Sequence, residues 1–545
     1  MQKILFLGLL ILSTITLKAQ NNSKLDRPKL VIGIVVDQMR YDYLTRFYDK
    51  YSDDGFKRLI NDGFNCENAH LNYMPTHTAV GHATIYTGTT PDTHGIIGNN
   101  WYDQSLKKSI YCVDDFSHKA VGTKKEGEQK SPYRMLTTTI TDELRLSQNM
   151  KGKTISISIK DRAAVLPGGH TSNGSYWFIG KDEGKFITST YYMDKLPKWV
   201  KDFNELELPK KYVKLKWETL YPIETYTESI VDDNIYEGLF KGEKSPTFPH
   251  DLAKLRKKNK NFDLVKSTPF GNEIIVEFAK TAIKNENLGK GVYTDFLAMS
   301  FSSTDYIGHQ FGVDSKEVED TYLRLDKEIA DFLKYLDNNI GENNYTLFLT
   351  SDHGAYQVPA YLMSKKIPGG KLKSDDFKSF LTKISNKHFN SDKIIENFSN
   401  YQIFLNKDEI MKLDLEKNKV SQILADEIIN YNGVHKVVTA YTLQNTNFTN
   451  GVLEKLQNGY NQKLSGDVFI IPNPVNITYS DTGSSHGSGY SFDTHVPVMF
   501  FGKGIKKGST KKWIPIIDIA PTMANLLHIE NPSGTTGKII EKALK

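Results

Sequence analysis

Short runs of apolar residues recur along the chain and predict buried β-strands. The clearest of these runs are Leu30–Val36, Phe296–Ser300, Tyr345–Leu349 and Val496–Phe501. Their apolar residues are continuous rather than alternating, which is typical of strands covered on both faces in a parallel sheet. A fifth run, Thr154–Ile159, is the exception, because its serines alternate with isoleucines.

An amphipathic helix lies between two of the predicted strands. Its apolar residues, spaced alternately by four and three positions, are Val318, Tyr322, Leu325, Ile329, Phe332 and Leu336. This spacing places them on one face of a helix. The succession of strand, helix and strand predicts an α/β fold with a doubly wound, mostly parallel sheet.

Two stretches interrupt this alternation, near residues 168–269 and 356–479. The first is rich in Tyr, Trp and Lys and contains a predicted hairpin, in which Tyr176–Ile179 and Phe186–Tyr192 flank a polar turn. The second is polar and rich in Lys and Asn. We expect both to be insertions that decorate one catalytic α/β domain spanning residues 20–545.

The first residues have the pattern of a targeting segment. Lys3 gives a short positive start, residues 4–17 are apolar, and Ala19 precedes a polar stretch. The apolar run is short for a membrane span, so it predicts a cleaved signal peptide over residues 1–19 rather than an N-terminal membrane anchor. We therefore expect a periplasmic or secreted monomer with no membrane span after cleavage.

The composition excludes several classes of protein. Of 545 residues, 39% are hydrophobic and 24% are charged, as in ordinary globular chains and unlike disordered or multi-span membrane proteins. A net charge of +5 gives no reason to expect a nucleic-acid partner. Because there are only two cysteines, a metal site must use His and carboxylates. Cys66 and Cys112 either pair in an oxidising compartment or remain separate buried thiols.

Polar residues follow the predicted strands, where open α/β sheets bind their ligands. Asp37 comes directly after the first strand. The other positions after strands are Lys160 and Arg162, Asp305 and His309, and Asp352 and His353. A single acid at such a place is equally typical of a helix cap or a turn, but this repetition points to a site.

The Asp and His residues suit metal binding. Asp305 and His309 are four residues apart and share a face if they lie on a helix. Asp352 and His353 are adjacent, so the chain must leave the sheet there, which Gly354 permits. With Asp37 and the loop residue His486, they provide three Asp and three His, enough for two three-ligand sites. Imidazole and carboxylate without thiolate favour zinc and leave manganese or iron open.

A turn leading into a short helix contains Thr76 and Thr78. Near the start of a helix, Thr78 would lie where backbone N–H groups attract an anion, although either threonine equally suits an N-cap. Downstream, a turn-rich loop ends at the amide of Asn99.

With these residues assembled, the chain resembles the alkaline phosphatase superfamily, and most of all its PafA-type periplasmic phosphate-monoester hydrolases. The resemblance rests on P-T-x-T at residues 75–78, P-x-x-H-G-I-I-x-N at 91–99 and S-D-H-G at 351–354. It implies two zinc ions per chain, one held by Asp37, Asp352 and His353, the other held by Asp305, His309 and His486.

The resemblance also implies the chemistry. Thr78 would be the nucleophile and form a phospho-threonine intermediate, with a small-molecule phosphate monoester as substrate. Asn99 would donate its amide to a phosphoryl oxygen, while Lys160 and Arg162 would bind the phosphate.

Two alternatives differ from this interpretation. A nucleotide pyrophosphatase/phosphodiesterase has similar P-T-x-T and H-G-I-I-x-N elements. If the backbone is extended, Lys160 and Arg162 point to the same side and favour the more highly charged monoester. A non-catalytic secreted metal-binding protein is the other alternative, and it predicts loss of the nucleophile or of a ligand.

Overall fold

The computed structural model describes residues 26–477 and 481–545. The predicted signal peptide, residues 1–19, lies outside the described residues. Within the described ranges, no helix is both long and apolar enough to span a membrane.

In this part of the chain, ten strands form one central sheet. In chain order they are β1 (Leu30–Val36), β2 (Phe64–Cys66), β3 (Ala120–Val121), β4 (Thr154–Ser158), β5 (Gly174–Ile179), β6 (Lys185–Ser189), β7 (Asp295–Phe301), β8 (Tyr345–Thr350), β9 (Val498–Gly502) and β10 (Gly508–Thr510). Their order across the sheet is β10-β2-β9-β8-β1-β7-β4-β5-β6-β3. The predicted α/β fold with a mostly parallel sheet is confirmed.

The centre of the sheet is parallel and its margins are mixed. Strands β8, β1, β7, β4 and β5 run parallel to one another. Strand β9 runs antiparallel to β8, with Val498 opposite Thr350, so the interpretation of Val496–Phe501 as a parallel-type strand is wrong. The apolar pattern of a strand buried on both faces is the same whether the strand runs parallel or antiparallel to its neighbour. The direction is set by the connection between the two strands. The antiparallel direction has a consequence for the site, because β9 begins at the edge where the parallel strands end.

The residues of β1 show why its apolar run is continuous. Leu30, Ile32 and Ile34 pack into one hydrophobic cluster, whereas Val31 and Val35 pack into another on the opposite face of the sheet. All seven residues of the strand are buried. Strand β4 is buried as well, in spite of its serines, because helices and neighbouring strands cover it on every side.

Eleven helices of eight or more residues lie within the described ranges, and nine of them are labelled α1 to α9. They are α1 (Thr78–Thr87), α2 (Ile140–Ser147), α3 (Asp161–Gly168), α4 (Phe270–Glu286), α5 (Ser303–Phe311), α6 (Lys316–Asn339), α7 (Ser374–Phe389), α8 (Lys417–Ile428) and α9 (Ile519–Leu527). The predicted amphipathic helix is α6, and its six apolar positions are all buried. Ser315 caps its start by accepting a hydrogen bond from the Val318 N–H.

The predicted hairpin is formed by β5 and β6, which pair antiparallel. Both strands belong to the central sheet, so this part of the 168–269 stretch extends the core sheet. Within the 356–479 stretch, the described residues form a separate sheet of four strands, Ile395–Ser399, Gln402–Leu405, Val434–Thr439 and Val468–Pro472. This second sheet packs with α7 and α8 around its own hydrophobic cluster.

The two cysteines are separate thiols. Cys66 and Cys112 are both buried and unbridged, and they belong to different hydrophobic clusters. Burial raises the pKa of the Cys66 thiol to about 12 and raises that of Cys112 as well. A disulfide between them is therefore not part of this fold.

Candidate active site

The predicted ligands meet at one edge of the central sheet. Asp37 follows β1 directly, α5 follows β7 after one residue, and Asp352 lies two residues beyond β8. Because β8, β1 and β7 are adjacent and parallel, their carboxyl ends lie side by side. Residues far apart in the chain are thereby brought together.

Asp37, Asp352 and His353 form a buried cluster. Their side chains are fully shielded from solvent, and their ligand atoms lie within 4.8 Å of one another. Nε2 of His353 lies 3.4 Å from Oδ1 of Asp37 and 3.6 Å from Oδ2 of Asp352. These three atoms, Asp37 Oδ1, Asp352 Oδ2 and His353 Nε2, are buried without a hydrogen-bond partner. Orphaned buried acceptors are costly in protein interiors, so this donor set fits a metal cation.

Asp305, His309 and His486 lie beside this cluster. Asp305 and His309 are on α5, as their spacing predicts, and His309 Nε2 is 3.2 Å from Asp305 Oδ1. His486 Nε2 lies 3.6 Å from the same oxygen. A second metal-compatible group combines Asp305 and His486 with His353, so His353 lies between the two clusters. His486 reaches the site because its loop precedes the antiparallel strand β9.

Each of the three histidines has its other ring nitrogen bound to a backbone carbonyl. Nδ1 of His309 donates to Ser484 O (2.8 Å), Nδ1 of His353 to Gly354 O (2.9 Å) and Nδ1 of His486 to Thr76 O (2.6 Å). On His353 and His486 this arrangement leaves the Nε2 lone pair directed at the carboxylates. Burial also holds the pKa values of His353 and His486 well below the ordinary value. Both rings are therefore neutral, as metal binding requires.

The chain leaves the sheet between β8 and these ligands, as predicted. Gly354 does not have a left-handed backbone, so it is not the turn residue that the sequence suggested. A Cβ atom at Gly354 would lie 2.3 Å from the Phe492 carbonyl oxygen. Glycine is needed there because a neighbouring backbone segment approaches closely.

Thr78 is the first residue of α1 and is almost fully buried. Neither threonine of the motif caps the helix, so that alternative is wrong. The N-cap is His77, which has no side-chain cap bond, and Thr76 Oγ1 donates to Ser488 O instead. The Thr78 hydroxyl therefore lies at the positive end of the helix, 3.4 Å from Lys160 Nζ.

Asn99 lies beside the same helix start. Its Oδ1 accepts a hydrogen bond from the Ala79 N–H at 2.9 Å. The amide is thereby oriented with its carbonyl toward the helix, so that its NH₂ group is available on the opposite side.

Lys160 and Arg162 are not on an extended strand. Strand β4 ends at Ser158, Lys160 is the N-cap of α3, and Arg162 is inside that helix. The prediction that both side chains project from one side of an extended segment is wrong, because the extended backbone ends at Lys160 and the helix begins at Asp161. Arg162 Nη1 instead donates a hydrogen bond to the Tyr111 hydroxyl oxygen at 3.1 Å.

The Lys160 ammonium joins the two ligand clusters. Its Nζ lies 2.7 Å from Oδ2 of Asp37 and 2.5 Å from Oδ2 of Asp305. Burial opposes the charge, but Asp305 and Asp37 raise the pKa of Lys160 above its ordinary value. Although burial also opposes ionisation of Asp305, His309 and Lys160 hold the pKa of its carboxyl well below the ordinary range.

Comparison with known proteins identifies the family. The model for type I phosphodiesterase / nucleotide pyrophosphatase matches residues 31–492. The chain belongs to this family. Within it, the chain is 48% identical to alkaline phosphatase PhoV of Synechococcus elongatus, covering 95% of this chain and 93% of PhoV. It is 47% identical to a Myroides odoratus protein named calcium-transporting ATPase, covering 96% of each chain.

Alkaline phosphatase PafA, another member of similar size, gives the structural comparison. The Elizabethkingia meningoseptica sequence is 43% identical over 99% of this chain and 98% of its own. The crystal structure of PafA superimposes with a TM-score of 0.92 at 42% identity, covering 95% of this chain and 99% of PafA. A further solved form of PafA carries substitutions of a threonine, an asparagine, a lysine and an arginine. The resemblance to PafA-type proteins, and with it the alkaline-phosphatase-like fold, is confirmed.

Two residues of this family member's site were not predicted from its sequence. The Gln38 backbone N–H donates to Asp352 Oδ1 (3.2 Å), and its side-chain Nε2 donates to Asp305 Oδ1 (2.7 Å), so this one residue contacts both clusters. Gln38 has a φ of 67°, a strained conformation for a non-glycine residue. The second residue, His82, binds Thr78 O through Nδ1 and lies 3.3 Å from Asp352 Oδ2. Only adjacency to Asp37 and helical spacing from Thr78 marked these two positions.

Proposed function

We propose that this chain is a metal-dependent alkaline phosphatase that hydrolyses phosphate monoesters. The observation that carries the proposal is the trio of buried, unpartnered ligand atoms on Asp37, Asp352 and His353, next to a threonine hydroxyl at a helix start. The names of PhoV and PafA, at 48% and 43% identity, support the same activity.

The proposed cofactor is two zinc ions per chain. Asp37, Asp352 and His353 would hold one ion, and Asp305, His309 and His486 would hold the other. Zinc favours this mixture of imidazole and carboxylate ligands. When bound, such a pair of ions lowers the negative charge around a phosphoryl group and helps to activate a hydroxyl nucleophile.

Thr78 is the proposed nucleophile. Its Oγ1 forms a bond to phosphorus while the ester P–O bond breaks, and the proton that the Thr78 hydroxyl loses is taken up by the departing alkoxide, which leaves as the alcohol. Water then adds to the phosphorus of the phospho-threonine, the Thr78 Oγ1–P bond breaks, one proton of that water returns to Thr78 Oγ1, and inorganic phosphate leaves. The start of α1 supports this role, since the positive end of the helix dipole stabilises negative charge.

Asn99 and Lys160 are proposed to orient the phosphoryl oxygens. The Asn99 NH₂ group is free to donate because its carbonyl is held by the Ala79 N–H. Lys160 lies within 3.4 Å of the Thr78 hydroxyl and keeps its positive charge. Arg162 is proposed to add charge at the same site. Together these groups offer fixed donors to charge that develops in the transition state.

The order of residue types supports this set. The solved PafA variant carries substitutions of a threonine, an asparagine, a lysine and an arginine. Thr78, Asn99, Lys160 and Arg162 occur in that order along this chain.

The nucleophile is tested by Thr78→Ala and Thr78→Ser, each assayed with zinc bound. We expect Thr78→Ala to lower kcat for an aryl phosphate by at least about 10³-fold, as for other essential nucleophiles. Thr78→Ser keeps a hydroxyl and should retain much more activity. Rapid acid quenching should trap phosphate on the wild-type chain at residue 78. Full activity in Thr78→Ala would show that the nucleophile lies elsewhere. A zinc-loaded wild type without phosphatase activity would favour the non-catalytic alternative.

A phosphodiesterase is the second candidate, and the family match to type I phosphodiesterases favours it. Against it, the site keeps Lys160 charged beside Thr78, and a monoester dianion uses more positive charge than a diester monoanion does. Matched aryl monoester and alkyl aryl diester substrates decide between the two. We expect a higher kcat/KM for the monoester, and a clear preference for the diester would assign the second function.

The location and organisation of the chain are also proposals. We infer a periplasmic or secreted monomer, residues 20–545 forming one catalytic domain with insertions near 168–269 and 356–479. N-terminal sequencing of the protein secreted by its host should begin near residue 20, and light scattering should give the mass of one chain. Retention of residues 1–19 would indicate a membrane anchor.

A further inference from the structure

A cavity of about 330 Å³ opens beside the proposed nucleophile. One wall belongs to the loops of the catalytic core and includes His77 and His486. The opposite wall belongs to the hairpin at the tip of the four-stranded sheet and includes Phe398 and Asn400. The volume is within the range of pockets that bind small molecules, which begins at roughly 300 Å³. The cavity is therefore a space between the catalytic core and the second sheet.

The inner end of this cavity adjoins the reaction centre. His77 directly precedes Thr78 and has a buried Nδ1 without a hydrogen-bond partner. His486 is one of the candidate metal ligands, and the two rings are in edge-to-face contact, 6.0 Å between centroids. The ester substituent of a phosphate monoester whose phosphorus lies next to Thr78 would thus extend toward this cavity.

The walls of the cavity are rich in aromatic and aliphatic groups. Phe398, Tyr356 and Phe469 contribute rings, and Leu456 and Pro472 contribute aliphatic surface. Polar groups also line the cavity, namely the Lys378 ammonium, the amides of Asn400 and Gln402, and the hydroxyls of Ser374, Ser399, Ser485 and Ser488. The three rings and the aliphatic surface favour a planar aromatic group, which can pack face or edge against them, over a small polyol.

The hairpin wall is held in place from the core side. Asn400 and Tyr401, with φ values of 51° and 57°, form the two-residue turn between Ile395–Ser399 and Gln402–Leu405. Positive φ at both positions is typical of a type I′ turn. Asn400 Nδ2 donates to Asn100 O at 2.7 Å, beside Asn99. The cavity is therefore preorganised, because its outer wall is fixed to the loop that is proposed to bind phosphate.

We infer that this cavity binds the leaving group of the substrate and selects aromatic phosphate monoesters, an inference that rests on the proposed function. Phe398 is then a specificity residue, which contacts the departing aryl group. The intrinsic reactivity of each ester cancels when a variant is compared with the wild type on the same substrate, so the effect of the wall can be isolated.

The test compares Phe398→Ala and Phe398→Leu with the wild type on 2-naphthyl phosphate and propyl phosphate. Phe380→Ala is the matched control, because Phe380 and Phe398 both pack against Phe377 but Phe380 does not line the cavity. We expect Phe398→Ala to lower kcat/KM for the naphthyl ester about tenfold, mainly through KM, by loss of buried ring surface. Propyl phosphate should change less than about twofold, as should both substrates in Phe380→Ala.

A binding measurement separates this inference from the proposed function. Fluorescence titration of 2-naphthol, the leaving group itself, should show weaker binding to Phe398→Ala than to the wild type, by a similar factor. Equal losses for both esters, or no loss for either, would overturn the inference while phosphatase activity stands. A loss confined to propyl phosphate would also overturn the inference and assign the cavity to small aliphatic leaving groups. A wild type that binds 2-naphthol but cleaves neither ester would contradict the proposed function and, with it, the leaving-group role.

Discussion

Gly81, on the helix that begins with Thr78, lies directly against Asp352. A Cβ atom at Gly81 would fall 2.4 Å from the Asp352 carbonyl oxygen and 2.5 Å from its Cβ. No L side chain can be added at Gly81 without moving this ligand backbone. The contact joins the helix of the proposed nucleophile to a strand end that carries two proposed ligands.

Gly81→Ala should therefore damage the site although it touches no substrate. We expect at least about 100-fold loss of kcat/KM, the cost of roughly 1 Å displacement of a catalytic group, together with a lower zinc content. Gly291→Ala is the control, since the nearest atom to its added Cβ is 3.9 Å away. Elemental analysis and steady-state kinetics measure both effects. Normal activity in Gly81→Ala would show that Asp352 can shift freely.

Lys160→Ala should lower the unfolding free energy much more in the metal-free protein than in the zinc-bound protein. In the metal-free protein it leaves Asp37 and Asp305 as buried carboxylates without their cation, which should cost about 3 kcal/mol of unfolding free energy. Bound zinc supplies positive charge, so the loss should fall below about 1 kcal/mol while kcat/KM for a monoester remains reduced. Urea unfolding with chelator and with zinc measures the difference.

Arg162→Ala provides the comparison for Lys160. Arg162 has the Tyr111 hydroxyl as a partner rather than the ligand carboxylates, so its effect on stability should be the same in chelator and in zinc. A metal-independent loss in Lys160→Ala would contradict the role of Lys160 as the cation between the clusters.

Removing metal should lower the thermal stability of the wild type. Zinc binds the folded site and not the unfolded chain, so zinc at 100 times its Kd should raise the unfolding free energy by about 2.7 kcal/mol per site. Calorimetry in chelator and in buffered zinc measures the change in Tm. Zinc should raise the Tm of His353→Ala less than that of the wild type, whereas it should raise the Tm of His435→Ala, at an exposed position, as much as that of the wild type. The same Tm in chelator and zinc would contradict a metal site at these residues.

Stability should also decline with rising pH through a buried network that contains none of the proposed ligands. Nδ1 of His250 lies 2.7 Å from Glu243 and Nε2 lies 3.2 Å from Glu317. Burial opposes protonation, yet these carboxylates raise the pKa of His250 to about 9. Burial raises the pKa of Glu317, and burial together with Glu317 raises that of Glu237 to about 10.

The sign of this effect is the same for all three groups. Each has a higher pKa in the folded state, so the folded chain binds more protons than the unfolded one and loses stability as pH rises. The His250 contribution is complete below pH 6.5 and vanishes through pH 9, and amounts to about 3 kcal/mol at most. Urea unfolding in chelator from pH 6 to pH 9 measures how the unfolding free energy changes with pH, and this free energy should fall less steeply for His250→Gln than for the wild type. His435→Gln should follow the wild type, and equal slopes for all three would contradict the network.

The sequence predicted the parts of the fold that depend on local pattern. The seven residues of β1 have the predicted bounds, and α6 contains all six predicted core positions. Burial on both faces of a strand, or along one stripe of a helix, determines the local spacing of apolar residues, so both elements could be predicted from that spacing. The spacing of Asp305 and His309 placed both on α5 for the same reason.

Features that depend on direction or on distant partners could not be predicted in this way. The antiparallel direction of β9 follows from a connection of about 150 residues, which leaves no local signal. The turn at Lys160 that moves Arg162 onto α3 differs from an extended segment by only a few backbone angles. Gln38 gained its role from Asp352 and Asp305, which are 314 and 267 residues away, so its neighbour Asp37 was the one local sign of it.

The pairing of β8 with β9 has a further consequence. Thr350 and Val498 face each other across the sheet, so the segment 351–497 departs and returns at neighbouring positions. Its closure entropy grows only with the logarithm of its length, and the central strands therefore experience little change when this segment is lengthened or exchanged. Within it, the four-stranded sheet supplies the outer cavity wall, while His353 and His486 stand near the two ends. The part of this segment between His353 and His486, and with it the outer cavity wall, can thus change in sequence and length while the strand ends and the proposed ligands keep their places.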